Sequence, residues 1–242
     1  MIAVSKTDIG KRRQSNQDCV FASTQPVGNL PDFFAVADGM GGHNAGDYAS
    51  NYAITLVTDL LRGSRESDPE KAMRDALSKA NEGLLNISRR DEDKEGMGTT
   101  FVCATVTDGT LTVLNVGDSR LYLMHGHELT QVTEDHSYVQ SLVEQGEISK
   151  EEARVHPRRN IITKAVGVPG DNQPDVFTCP IEEGDQFLLC SDGLTSMVED
   201  ERIREILEQD EDAGQIVDHL INEANQNGGT DNISVILVQM RG

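Results

Sequence analysis

Two apolar runs in this chain stop at the same dipeptide. Phe33-Phe34-Ala35-Val36-Ala37 ends at Asp38-Gly39, and Phe187-Leu188-Leu189-Cys190 ends, after Ser191, at Asp192-Gly193. Each reads as a buried strand that delivers a carboxylate at its exit, with a glycine that lets the backbone turn closely, an arrangement suited to a hard cation. The run Leu114-Asn115-Val116-Gly117-Asp118-Ser119-Arg120 and the pair Asp231-Asn232 ahead of the last apolar segment bring further carboxylates to similar positions. One Asp-Gly after a strand is equally well explained as a turn. Recurrence of the pattern along one chain favours a metal centre.

The remaining periodicities place these runs in a mixed architecture. Strand-type segments are expected at Ile2–Thr7, Cys19–Ser23 and Phe33–Ala37. Helical spacing follows in Ala49, Ala53, Leu56 and Leu60 and again in Met73, Leu77, Ala80 and Leu84, the second helix opening with Asp68 as N-cap and Pro69 at the first helical position. Asp108-Gly109 between Phe101–Thr107 and Thr110–Val116 predicts a hairpin, and Gly126-His127 a second. Ser137 with Gln140 and Ser149 with Glu152 predict two short capped helices, the first ended by Gly146. Strands near Val176–Cys179, Gln186–Cys190 and Ile233–Val238 and helices near Ile203–Leu207 and Ile216–Ala224 complete the pattern. Hairpins mixed with helix pairs indicate α+β layers.

Composition narrows the function classes. The formal charge of −20 over 242 residues opposes nucleic acid and anionic membrane as partners. Against it, positive charge gathers at Lys11, Arg12 and Arg13 and at Arg154, His156, Arg158, Arg159 and Lys164, islands able to receive a phosphate. The start, Met1 into alternating Ile2 and Val4, has neither the basic opening nor the apolar run of a signal peptide, so a cytoplasmic, membrane-free protein is expected. Cys19, Cys103, Cys179 and Cys190 form no CxxC pair and read as reduced core thiols. Six residues beyond them stand Gln25, Gly109, Asp185 and Ser196 rather than the arginine of a cysteine phosphatase loop. Asn44 breaks a dinucleotide-type glycine pattern, and Asp91–Gly96 departs from a calcium loop at Glu95 and Val102, leaving a charged surface loop.

Arg13-Gln14-Ser15-Asn16-Gln17-Asp18, Asp38-Gly39-Met40-Gly41-Gly42, Gly98-Thr99-Thr100, Gly117-Asp118-Ser119-Arg120, Ser191-Asp192-Gly193 and Gly229-Thr230-Asp231-Asn232 follow one another in the order seen in type 2C protein phosphatases. The chain resembles that family over nearly its whole length, and His136 through His156-Pro157 resembles the flap of bacterial members. The resemblance implies a four-layer α-β-β-α sandwich, two central and mostly antiparallel sheets flanked by helix pairs, as one catalytic domain over residues 1–242 with a flap at 137–160. It implies hydrolysis of phosphoserine and phosphothreonine in proteins by a bridging water activated between two Mn²⁺ or Mg²⁺ ions.

By position, the resemblance makes Asp38 the bridging ligand, adds the Gly39 carbonyl to one cation, gives the other to Asp192 and Asp231, and has Asp18 act through water. Asp118 with Asp192 would form a third, weaker site. Arg13 would clamp the phosphate. Met40 stands where animal members carry histidine, so metal-bound water is the preferred proton donor, with His43 as the candidate side chain. Phosphorylated proteins, with a bacterial Ser/Thr kinase and its substrates, are the implied partners, and a monomer is expected. The rival reading is a catalytically dead phosphatase-like module that binds phosphoproteins.

Overall fold

A computed structural model describes residues 1–42, 45–170 and 172–241. In chain order the elements are β1 (Ile2–Asp8), β2 (Asp18–Ser23), β3 (Phe33–Met40), α1 (Ala45–Gly63), α2 (Pro69–Ser88), β4 (Gly98–Thr99), β5 (Phe101–Thr107), β6 (Thr110–Val116), β7 (Arg120–His125) and β8 (Glu128–Gln131). They continue with α3 (Tyr138–Glu144), α4 (Lys150–Val155), β9 (Asp175–Pro180), β10 (Gln186–Cys190), α5 (Asp192–Thr195), α6 (Asp200–Leu207), α7 (Ala213–Gln226) and β11 (Ile233–Gln239). One sheet runs β1-β11-β10-β7-β8 and the other β2-β3-β5-β6-β9, with β4 beside β3. Their strand pairs are antiparallel.

Alternation along the strands builds the layers. In β3, Phe33, Ala35 and Ala37 pack with residues of α1 and α2, while Phe34 and Val36 join a second cluster with Phe187, Leu189, Ile236 and Val238 of the other sheet. In β10 and β11, Leu188, Cys190, Val235 and Leu237 face α6 and α7. The two sheets therefore lie face to face with helices outside both, and strands buried on both faces read as continuous apolar runs. This is the four-layer α+β sandwich the sequence implies. Among the described residues, no helix is long and apolar enough to cross a membrane.

Turns and caps follow their local chemistry. Asp108 and Gly109 both adopt positive φ, 50° and 73°, the twist a two-residue hairpin needs. Asp68 accepts from Lys71 N at the start of α2. Ser149 and Glu152 make a reciprocal capping box, whereas Ser137 caps α3 alone because Gln140 donates instead to Glu144.

Three expectations need correction. β3 runs on through Asp38 and Gly39 to Met40 and pairs there with β4, so the apolar run ends but the strand does not. Asp192 and Gly193 open a helical turn. Neither glycine adopts positive φ; each is needed because another backbone comes close, a Cβ on Gly39 falling 2.0 Å from Gly46 O and one on Gly193 1.9 Å from Asn232 O. Of the four cysteines, Cys103 and Cys190 are core residues, while Cys19 and Cys179 are only half-buried, and all are free thiols.

The flap leaves the sheets through a narrow antiparallel neck. Tyr138 N donates to Ile161 O at 2.8 Å, Thr163 N to His136 O at 2.8 Å, and Ser137 bridges Ile162. Beyond the neck, Val166 exchanges hydrogen bonds with Thr99 at 2.9 and 3.0 Å.

Candidate metal centre

Strand register brings the first two carboxylates together. In the β2–β3 pair Asp18 stands directly opposite Asp38, on the same row as Val20 and Ala22 opposite Val36 and Phe34, which point between the sheets. Directly opposed residues have Cβ atoms about 5 Å apart, and like charges there repel. The pair sits at one open end of the intersheet layer. The other sheet closes that end: Ser191 continues the intersheet row of Phe187 and Leu189 and donates from Oγ to Asp18 Oδ2 at 2.7 Å. Asp192 follows it, and Asp231 precedes β11 alongside.

Backbone positions at the site are held by side chains buried within the motifs. Thr100 Oγ1 accepts from Asp38 N at 2.9 Å and meets Ser119 Oγ at 2.7 Å, while Thr99 Oγ1 donates to Asp38 O at 2.9 Å. Asn232 is a three-way clamp. Its Oδ1 accepts from Gln17 N at 2.8 Å, and its Nδ2 donates to Ile9 O at 2.9 Å and Ser15 O at 3.0 Å, tying the segment that carries Arg13 and Asp18 to β11. Gln17 O in turn accepts from Gly39 N at 3.0 Å. The Gly39 carbonyl faces the first turn of α1, where Gly46 leaves it room.

Asp118 lies in the short crossing from β6 of one sheet to β7 of the other. Gly117 before it takes φ 109° and has Thr100 where a Cβ would be, so only glycine fits. Arg120 after it grips Asp135 through Nε at 2.9 Å and Nη2 at 2.7 Å and donates from Nη1 to Tyr122 Oη at 2.8 Å. A cavity of about 310 Å³ extends from Asp118 and Asp192 to Lys150, Arg154 and Arg159 of the flap. Arg154 Nη2 donates to Thr195 O at 3.2 Å, at the far end of the turn that Asp192 opens.

The electrostatics are those of acids crowded away from water. Burial, and then the neighbouring carboxylates, push Asp18 up to about 7, against the hydrogen bonds of Ser234 and Ser191. Burial and then Asp231 push Asp192 up to about 6, with a hydrogen bond from the Asp38 carboxyl pulling the other way. Asp38 and Asp118 are raised well above the ordinary range, again chiefly by burial and then by neighbouring carboxylates. Arg13, nearly half-exposed at the rim, pairs its Nη2 with Asp231 Oδ2 at 2.6 Å, where a phosphate clamp was expected. His43 lies outside the described residues.

Two features test the fit to hard divalent cations. Asp18 Oδ1 and Asp192 Oδ1 are buried without a hydrogen-bond partner, a costly state unless something electropositive meets them. All donors are oxygens, the set Mg²⁺ and Mn²⁺ prefer. Among the described residues, no three or more His, Cys, Asp or Glu side chains close into a cation cage. The residues present fit such ions.

The sequence reading missed Thr100, Ser119, Ser191 and Asn232 as supports. Their signal was available: each is a polar residue inside a motif at the end of an apolar run, where a buried polar group must find a partner. The half-buried Lys164 leaves the basic island to pair with Asp175 at 3.1 Å, and Arg158 stacks over the Tyr138 ring at 5.1 Å.

Comparison with known proteins agrees with this geometry. The sequence pattern of the family described as Protein phosphatase 2C matches residues 2–233. The chain is 41% identical over 247 residues to the serine/threonine phosphatase stp of Listeria monocytogenes, covering 99% of this chain and 96% of that one. The structure of the S. agalactiae serine/threonine phosphatase superposes with a TM-score of 0.92 at 34% identity, covering 99% of each chain. The catalytic domain of serine threonine protein phosphatase PstP, in complex with two manganese ions, does so with a TM-score of 0.88 at 33% identity, covering 100% of this chain and 98% of that one. The chain belongs to the protein phosphatase 2C family, and it is a protein serine/threonine phosphatase.

Proposed function

We propose that this phosphatase hydrolyses phosphoserine and phosphothreonine with two Mn²⁺ or Mg²⁺ ions held at the open end of the sandwich. The observation that carries the reading is the pair of buried, unpartnered oxygens, Asp18 Oδ1 and Asp192 Oδ1, inside a group of carboxyls that repel one another. Asp38 and the Gly39 carbonyl would hold one ion, Asp38, Asp192 and Asp231 the other, with Asp18 behind them through water and Asp118 beside Asp192 serving a third. Bound there, the ions supply Lewis acidity, which brings a water to reactivity near neutral pH and neutralises phosphoryl charge.

The chain's own groups do the rest. Arg13 at the rim is placed to grip the phosphate's equatorial oxygens once Asp231 is engaged elsewhere, a guanidinium fork suiting a phosphoryl group that spreads its charge. Met40 has no proton to give, so the leaving alkoxide takes one from water in the cleft, or from His43. The rigid clamp of Asn232 and Thr100 keeps Arg13 and Asp38 in register, and orientation of this kind lowers barriers without new contacts. The flap, 137–160, would select among phosphoproteins, the targets of a bacterial Ser/Thr kinase. We further propose a single domain, a monomer and a cytoplasmic setting.

The test is hydrolysis of a phosphothreonine peptide by purified protein across a Mn²⁺ titration, with Asp38→Asn as control. Turnover should require the ion, and Asp38→Asn should lower kcat by about a thousandfold. Near-normal activity of Asp38→Asn would defeat the two-ion reading, and peptide binding without turnover at any Mn²⁺ concentration would return the inactive-module reading.

A further inference from the structure

His136 is buried at the root of the flap, where its side chain and its own backbone tie three parts of the molecule together. Its Nδ1 accepts from Gly117 N at 3.0 Å, and its backbone N donates to Gly117 O at 3.0 Å. Its carbonyl accepts from Thr163 N at 2.8 Å, the returning arm of the flap neck. Because Nδ1 must accept, the neutral ring carries its proton on Nε2, which lies 3.1 Å from Asp175 Oδ2 of β9, off the axis of a good hydrogen bond. Lys164 holds the other oxygen of Asp175 at 3.1 Å. Asn115 reinforces the same junction, donating from Nδ2 to Gly117 O at 3.1 Å and Glu134 O at 3.0 Å.

We propose that His136 is a positioning residue for turnover of protein substrates: one buried imidazole fixes the flap's root to the Gly117–Asp118 turn. The inference rests on the reading of the flap as the substrate-selecting segment. With a single buried apolar side chain among the described residues of its two helices, Val139 of α3 at the same 8% exposure as His136, the flap has little packing to fix it. Its orientation is therefore set by directional bonds, of which those to Gly117 are the most enclosed. Thr100 fills the space where a Gly117 Cβ would stand, so the turn is closely packed on that side.

Two isosteric variants separate the ring's two nitrogens. His136→Asn puts an amide oxygen where Nδ1 stands and keeps the acceptor for Gly117 N. His136→Gln reaches toward Asp175 and leaves that buried N–H without a partner. Limited trypsin digestion, with the first cut between Lys150 and Arg159 identified by mass spectrometry, reads flap order without metal or turnover. His136→Gln should be cut there about tenfold faster and should raise KM for a phosphothreonine peptide about tenfold while leaving KM for a small aryl phosphate within about twofold. His136→Asn should stay within about threefold of the parent on every readout. Equal behaviour of the two variants, an unchanged cutting rate, or equal KM changes on both substrates would overturn the proposal. Should His136→Gln not fold, Asp175→Ala on the edge strand must leave the cutting rate within about threefold of the parent, because the bond to Gly117 is untouched, and faster cutting would move the anchor to the Nε2 side and overturn the proposal as well. Absence of turnover in the parent protein would defeat the proposed function and leave the digestion result standing.

Discussion

The floor of the candidate metal centre and the flap beside it are built on opposite terms. In the floor, Asp18, Asp38 and Asp192 sit at strand ends or just beyond them, and the backbone around them is pinned by Thr100, Ser191 and Asn232. Every residue of β11, which closes the floor, is buried. In the flap, Val155 is 77% exposed, Ile161 just beyond it is 48% exposed, and the two helices are seven and six residues long. The floor can hold mutually repelling acids because close packing from both sheets leaves them nowhere to move. The flap has no such enforcement and can vary what it presents without disturbing the acids beneath. Chemistry common to every substrate belongs on the first kind of structure, and choice among substrates on the second.

The contrast breaks most visibly if a floor support behaves like a flap residue. Asn232→Ala removes three bonds to the segment bearing Arg13, and kcat/KM should fall about a hundredfold on phosphopeptide and aryl phosphate alike. A loss confined to the peptide would mean that the clamp serves selection instead. Next in size, replacing Arg158 and Arg159 together by Ala should raise KM for phosphopeptides about tenfold with aryl phosphate within about twofold. Equal effects on the two substrates would take the flap out of selection.

The floor also predicts an unusual pH dependence in the metal-free protein. The Asp18 carboxyl rises from 3.8 to about 7 on folding, and Asp192 to about 6. Between those limits the folded state retains protons that the unfolded chain has released, so stability is greatest at the acid end and is lost as pH rises through the folded values. In chelator, Tm should drop by about 5 °C from pH 5 to 7.5, and Mn²⁺ should abolish the drop. A Tm that rises over that range in chelator would contradict the protonated floor. The smallest effect belongs to the flap surface: Val155→Ser should change unfolding free energy by less than about 0.5 kcal/mol in a urea titration. A larger loss would show that the flap has a core of its own.

Much of this is legible in the sequence. The hairpin at Asp108-Gly109, the Asp68 cap and the two apolar runs that lead to aspartate follow from period and capping chemistry, which act over a few residues. The motifs pointed to Asp18, Asp38, Asp118, Asp192 and Asp231, and the structure gathers them at one end of the two sheets. Less legible was why Gly39 and Gly193 are glycines: a turn was the natural local reading, and a second backbone approaching within 2.0 Å of a Cβ is invisible along the chain.

The sequence by itself therefore determined the elements, their layering class and the family. Only the tertiary structure decided that Asp18 faces Asp38, that Arg13 meets Asp231 across 218 residues, and that Asn232 holds the Arg13 segment from 217 residues away. The physical reason is range. Hydrogen-bonded period and caps are set by neighbours, whereas strand register and the closing of one sheet on another are set by the burial of all their apolar residues at once.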